Sequence, residues 1–266
     1  MDIEEQFDVK KAEGYEFFQL DPVPDSELLS EFYESKYYDL IKEGDRAYEI
    51  RRLMEPGEER DKELAWLQAT FFGDICHLIK ARAPGKKLLE VGSGTGDFLE
   101  FAMSKGIDVF GIEPSEDAVD IAGERGIETF KGTLEAYVAK GGKTFDAVVM
   151  VNVLEHVPDP AAFVSHVHSL LNPGGLIIIR VPNDFSEIQL AAHAKLGADP
   201  WWISTPDHIN YFNFDSLDDL LGKLGFDVIH AQGDFPMELF LLMGDNYVGN
   251  QEIGSQSHSR RQSFEM

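Results

Sequence analysis

The stretch from Lys87 to Phe101 constrains this chain more than any other. An apolar strand, Lys87-Leu88-Leu89-Glu90-Val91, runs without a spacer into Gly92-Ser93-Gly94-Thr95-Gly96, and Asp97-Phe98-Leu99-Glu100-Phe101 then continues with helical character. Glycines let the backbone turn sharply and let a ligand lie against bare main chain, while free amides at a helix start receive polar or negatively charged groups. A strand, a glycine turn and a helix in that order prepare a site for a nucleoside-like cofactor.

The pattern around that loop extends it into a sheet. From Pro84-Gly85 onward, short apolar runs at 87–91, 109–113, 128–131, 145–151, 176–181 and 226–232 alternate with helical segments, as a parallel sheet of strand-helix-strand units requires. Ahead of it, after Asp21-Pro22-Val23-Pro24, the spacing of Leu28, Leu29, Phe32, Tyr33, Tyr37, Leu40 and Ile41 predicts a helix over 25–42. Leu64, Leu67, Phe71, Ile75 and Leu78 predict a second over 61–80, so the first eighty residues read as a helical preface. The expected fold is α/β, a Rossmann-like doubly wound and mostly parallel sheet with an N-terminal helical cap. The expected divisions are a cap or lid over 1–83, a cofactor-binding core over 84–235 with an insertion at about 184–213, and an extension over 236–266. The run 236–243 reads equally as strand or short helix, and the tail either closes the sheet, wraps elsewhere or is the shortened form of something longer.

Composition narrows the partners. The 266 residues carry 23 Lys plus Arg against 48 Asp plus Glu, a formal charge of -25, so a polyphosphate surface is repelled and nucleic acid is not expected as a partner. Cys76 is the only cysteine, which excludes an intrachain disulfide and a cysteine-rich zinc site. No apolar run is long enough to cross a bilayer, so no membrane partner is expected and the protein is read as cytoplasmic.

The dinucleotide fingerprint G-x-G-x-x-G would need glycine at 97, where this chain has Asp97, and the spacing here is G-x-G-x-G preceded by Glu90. That tilts the choice away from NAD, although an NAD-dependent oxidoreductase stays the rival enzyme. Glu90 to Gly96 resembles the first motif of class I S-adenosylmethionine-dependent methyltransferases, and the resemblance places Glu90, Gly92, Ser93, Gly94 and Gly96 at S-adenosyl-L-methionine. The second strand ends at Glu113-Pro114-Ser115, the interval at which such a fold presents an acid to ribose hydroxyls. A carboxylate at Glu113 can accept both hydroxyl hydrogens at once.

The segment Phe145 to Val157, ending Leu154-Glu155-His156-Val157, is similar to the fourth strand and following loop of the ubiquinone-biosynthesis O-methyltransferase type. It implies Asn152, Val153 and Leu154 as cofactor neighbours and His156 as a pocket residue, with Asp146 structural. In such folds the loop after the third strand contacts adenine, which points to Thr133 and Leu134. The turn Leu171-Asn172-Pro173-Gly174-Gly175 before the fifth strand also matches, and the resemblance covers roughly residues 86–230.

Ligands of open α/β sheets sit beyond the carboxyl ends of the strands, which points to Arg180, Asn183 and Asp184. The aromatic stretch that follows supplies Trp201, Trp202, Asn210 and Tyr211 as an acceptor wall, with Tyr33, Tyr37 and Tyr38 of the first helix as a lid. This stretch resembles methyltransferases of bacterial surface-polysaccharide and secondary-metabolite pathways, which implies a small-molecule acceptor such as a sugar or polysaccharide precursor. A hydroxyl or ammonium acceptor must lose a proton, and His156 and His208 are the candidates to take it. No compact cluster of metal ligands is visible, so no metal is expected. A catalytically silent S-adenosylmethionine-binding regulatory module is the alternative from outside the enzymes.

Overall fold

The computed structural model describes residues 7–32, 52–53, 57–197 and 199–266, apart from the side chains of Ser26, Ser30 and Glu31. The chain divides into two compact units, one of residues 67–181 and the other of residues 1–66 with 182–266.

The start of the chain is not wholly helical. Strands β1 (Asp8–Lys11) and β2 (Phe18–Asp21) form an antiparallel pair from Asp8↔Asp21 to Lys11↔Phe18. Their apolar content is too short for periodicity to reveal, but Phe17 and Leu20 are both buried and Tyr15 donates its N–H to Ala12 O in the connecting turn. The helix expected over 25–42 is present as α1 (Ser26–Phe32), and its continuation, with Tyr33, Tyr37 and Tyr38, lies outside the described residues. The helix expected over 61–80 is two helices, α2 (Glu58–Ala69) and α3 (Phe71–Arg82). Thr70 breaks them with a non-helical ψ of -100°, and Gly73 fits the junction because a Cβ there would lie 2.9 Å from Gln68 O.

The unit of residues 67–181 holds the parallel sheet. Its elements run β3 (Lys87–Val91), α4 (Asp97–Ser104), β4 (Asp108–Glu113), α5 (Glu116–Glu124), β5 (Thr129–Lys131), α6 (Leu134–Ala139), β6 (Phe145–Val151), α7 (Pro160–Leu170) and β7 (Leu171–Arg180). The strand order is β5-β4-β3-β6-β7, all parallel, which bears out five of the six expected strands and the doubly wound class. Leu88, Leu89, Ala147, Val148, Val149 and Met150 are completely buried, as central strands covered on both faces must be. The chain winds outward from β3 through β4 to β5 and then returns to β6 on the other side of β3. That reversal puts the switch point, where open sheets of this class bind ligands, between the ends of β3 and β6.

The turn expected at 171–175 is an excursion within β7, since Phe145 pairs Leu171 and Ala147 already pairs Leu176. Asp146 fastens it, accepting from the Asn172 side-chain amide at 2.8 Å and from Lys87 N at 2.9 Å, which bears out its structural reading.

In the other unit, α8 (Glu187–Leu196), β8 (Asn210–Tyr211), α9 (Phe214–Lys223), α10 (Glu238–Met243) and α11 (Gln251–Glu265) follow in order, and β8 pairs with β2. The strand expected at 226–232 is not formed: these residues are irregular, and Val228 and Ile229 are exposed with no strand paired to them among the described residues. The ambiguous run 236–243 is the helix α10. Helix α11 is polar in sequence because charge rather than an apolar stripe holds it. Buried Glu63 of α2 accepts from His258 Nε2 at 3.0 Å, Gln262 Nε2 at 3.0 Å and Arg52 Nη1 at 3.2 Å. Among the described residues no helix is long and apolar enough to cross a membrane.

Candidate functional site

The loop after β3 is built by its glycines in two different ways. Gly92, Gly94 and Gly96 all have left-handed backbones, at φ 73°, 50° and 82°. A Cβ on Gly92 would stand 2.8 Å from Val153 Cγ2, and one on Gly96 would stand 2.6 Å from Ile127 Cδ1, so these two permit close packing beneath the loop. A Cβ on Gly94 would meet nothing within 4 Å, so its bare main chain faces open space. Gly92 N and Ser93 N both donate to Ile112 O, at 2.8 and 3.1 Å, which carries the β3–β4 ladder into the turn, and Gly96 N closes it on Ser93 O.

Three carboxylates surround this loop. Glu113, at the end of β4, is buried and accepts from Gly94 N through Oε2 at 2.8 Å and from Ser115 N through Oε1 at 2.9 Å. Each oxygen keeps a second lone pair, so the group can still receive a ribose diol. Glu90 is buried, and its Oε2 has no hydrogen-bond partner. Burial, reinforced by the negative charges of Asp97 and Glu113, pushes its carboxyl well above the usual carboxylate range. Asp97, the first residue of α4, accepts from Thr95 Oγ1 at 2.9 Å and Arg125 Nη1 at 2.8 Å. Asp97 and Glu100 in the first turn both pair with Arg125, at 2.8 and 3.6 Å, so a diphosphate at this helix start would meet two carboxylates and a guanidinium already engaged by them. The buried orphan at Glu90 and the open face at Gly94 therefore fit a cofactor carrying positive charge and a ribose, as S-adenosylmethionine does.

The remaining expected cofactor residues lie at the carboxyl ends of β3 to β6 in the same unit. Ser93 Oγ is buried without a partner and lies where Gly111 has no Cβ, which would otherwise approach it to 2.6 Å. Ser115, after Pro114, caps α5 by accepting from Ala118 N, and Thr133 caps α6 by accepting from Ala136 N, with Leu134 buried behind it. Gly132 N donates to Glu113 O at 3.1 Å, tying the loop after β5 to the end of β4. Asn152 has a left-handed φ of 53°, rare outside glycine, and donates its N–H to Arg180 O at 2.9 Å. Val153 packs toward Gly92, Leu154 is fully buried, and His156 ends a short 3-10 turn, Leu154–His156. Arg180 places its guanidinium 4.9 Å from the centre of the Phe71 ring.

The other acceptor candidates belong to the second unit. Asn183 is exposed, and His208 is half-buried. Asn210 is fully buried and accepts from Gln19 Nε2 at 2.8 Å, and the Tyr211 hydroxyl accepts from Ser204 N at 3.3 Å. Trp201 and Trp202 meet edge to face with centroids 5.0 Å apart. Tyr37 lies outside the described residues. Asp184 is a residue that strand-end placement indicates but whose importance only the structure reveals. It is buried, its Oδ2 has no partner, and burial pushes its carboxyl up to about 7 against the pull of a Gln189 hydrogen bond.

Known proteins place this geometry. Ubiquinone biosynthesis O-methyltransferase of Ruegeria pomeroyi is 30% identical over 160 residues, covering 56% of this chain and 63% of that protein. This chain thus spans less than two thirds of the length of that curated relative. Magnesium protoporphyrin IX methyltransferase from Synechocystis PCC 6803, solved with bound SAH, shares the fold with a TM-score of 0.53 at 19% identity, covering 77% of this chain and 91% of that one. The plantazolicin methyltransferase BpumL in complex with SAH gives 0.52 at 17% identity, over 86% and 89%. The family described as a methyltransferase domain matches residues 64–231, more than half of the chain and the whole of the glycine-loop site, and the chain belongs to that family.

Proposed function

We propose that this protein transfers a methyl group from S-adenosylmethionine to an oxygen or nitrogen atom of a small polar acceptor. The observation that carries the reading is the pairing of Gly94's open main chain with the Glu113 carboxylate, fixed by two backbone N–H groups and still able to accept a diol. The buried Oε2 of Glu90, which has no hydrogen-bond partner, adds an acceptor for a cationic group. S-adenosylmethionine supplies an electrophilic methyl group when bound. The protein's own contribution is to bind and orient the two reactants, and holding them at near-attack distance supplies a large part of such an acceleration.

An acceptor hydroxyl or ammonium must give up a proton, and His156 or His208 takes it in this reading. Arg180, Asn183, Trp201, Trp202, Asn210, Tyr211 and Tyr37 are its proposed acceptor residues. The name of the Ruegeria pomeroyi relative supports transfer to oxygen, while the aromatic stretch after Val181 supports a sugar or surface-polysaccharide precursor. The test is isothermal calorimetry with S-adenosylmethionine and S-adenosylhomocysteine on the wild type and on Glu113→Ala. Binding by the wild type that weakens by about 10- to 100-fold in the variant, the effect of losing hydrogen bonds to a charged group, supports the reading. A wild type that binds neither ligand, or that binds NAD instead, overturns it.

A further inference from the structure

We propose that cofactor loading at the glycine loop is proton-linked: Glu90 carries a proton before the cofactor arrives and releases it when a cationic group of S-adenosylmethionine is placed against it. The inference rests on the methyl-transfer reading and adds to it a dependence of loading on pH.

The sheet register fixes what surrounds Glu90. It pairs with Gly111 of β4 on one side and Val149 of β6 on the other, and Gly111 in turn pairs with Thr129 of β5. Residues paired in this way lie on one face of the sheet with their strands about 4.8 Å apart, and Glu113, two residues beyond Gly111, lies on that same face. Gly111 has no side chain and Val149 is apolar and fully buried, so neither neighbour offers Glu90 a side-chain donor. Around the bare Gly111, Ser93 Oγ and Thr129 Oγ1 would lie 2.6 and 2.9 Å from an added Cβ, and both are buried without a partner. With Glu90 Oε2, the face that carries Glu113 therefore holds three buried polar atoms whose hydrogen bonds are unmade. A face in that condition is built to receive another polar group.

The charges nearby make Glu90 the odd one of the three acids. Asp97 has Arg125 as its counter-charge at 2.8 Å, and Glu113 accepts two backbone N–H groups, whereas Glu90 Oε2 accepts from nothing. Lys131, the register partner of Glu113, is paired with Glu116 at 2.8 Å. The charges that bear on Glu90, those of Asp97 and Glu113, are both negative, and together with burial they favour the neutral acid. A ligand cation set against Glu90 reverses that balance, because an opposite charge in a dry site favours the ionised form. The O–H bond of the carboxyl then breaks, its electron pair stays on the carboxylate, and the proton passes to the solvent buffer. A neutral acid is replaced by an ion pair. Because binding releases a proton, affinity rises with pH, by up to about tenfold per unit over the range in which the unliganded protein still holds that proton.

The experiment is titration calorimetry of S-adenosylmethionine into the wild type and Glu90→Gln between pH 5 and pH 7, where the ligand's own α-amino group stays charged. Each titration is run in two buffers of different ionisation enthalpy, so that the difference in heat counts the protons released. The wild type is expected to release roughly 0.5 to 1 proton per ligand bound and to gain affinity toward pH 7, and Glu90→Gln to do neither. Wild-type binding without proton release overturns the proposal, and so does a release that survives in Glu90→Gln. The wild-type count stands even if the variant does not fold. Binding of S-adenosylmethionine without proton release removes only this inference, whereas a wild type that does not bind it removes the methyl-transfer reading as well.

Discussion

Replacing Gly94 and Gly96 by alanine, one at a time, separates a ligand surface from a packing requirement within one turn. Both residues are left-handed, so either alanine costs about 1–2 kcal/mol for the backbone alone. At Gly96 the new methyl would also stand 2.6 Å from Ile127 Cδ1 and 3.5 Å from Ala122 Cβ, and overpacking of that kind adds about 1–3 kcal/mol. At Gly94 it would meet nothing within 4 Å, so folding loses only the backbone cost. In a domain of this size 1 kcal/mol moves the melting temperature by roughly 2–4 °C. Gly94→Ala is therefore expected to melt only a few degrees below the wild type and yet to lose S-adenosylmethionine binding by about 100-fold or more, because a methyl fills space the ligand would occupy. Gly96→Ala is expected to melt well below both. Differential scanning calorimetry and cofactor titration measure the two quantities on the same samples. A Gly94→Ala protein that binds the cofactor like the wild type would show that its open face is not the ligand surface.

Glu90→Gln removes a carboxyl that the folded protein keeps protonated to a higher pH than the unfolded chain does. For such a group wild-type stability falls as pH rises from about 4.3 through the raised value, so the variant's advantage in urea midpoint should grow between pH 4 and pH 8. Its cofactor affinity should fall further below the wild type's over the same range, because only the wild type gains a charge there as pH rises; equal midpoints at both pH values contradict the burial account. Asp146 shifts the other way: burial raises it, but the Lys87 N–H and the Asn172 amide outweigh that and hold it below the usual range. The stability this provides is full above about pH 3.9 and is lost as pH falls through the depressed value, so Asp146→Ala should cost about 2–4 kcal/mol at pH 7 and less at pH 2.5 by chemical denaturation. His258→Ala leaves buried Glu63 with Arg52 and Gln262 alone, and a loss of about 3–5 kcal/mol is expected, with proteolysis of α11 as a second readout.

The parallel sheet was legible because its strands are buried on both faces. Leu88 to Val91 and Phe145 to Val151 are apolar runs that need no partner information to be recognised, and glycines mark the turn between β3 and α4. The hairpin of β1 and β2 was not legible, since four-residue strands carry no usable period and β2 finds its second partner only in β8, where Phe18 pairs Tyr211. Residues 226–232 show the reverse error. The run Phe226 to Gln232 carries Phe226, Val228 and Ile229 as a short β-favouring stretch, but local sequence cannot say whether a partner strand exists.

The same difference between local and distant information separates the cofactor residues from the residues proposed for the acceptor. Gly92 to Gly96, Glu113 and the strand position of Glu90 are placed by backbone geometry and a fixed strand-end register, so their spacing in the sequence already encodes where they lie. What sets Asp184 and Trp202 apart is side-chain burial, and nothing in the sequence distinguishes an aspartate whose oxygen lacks a partner from an ordinary turn aspartate. Main-chain recognition suits a constant cofactor because substitutions elsewhere barely disturb it. Side-chain recognition suits a variable acceptor because single replacements can redirect it. It follows that Asp184→Asn and Trp202→Phe should leave S-adenosylmethionine affinity within about twofold of the wild type while changing which small molecules the protein accepts. A large loss of cofactor affinity in either variant would mean that the two recognition functions are not carried by separate sets of residues.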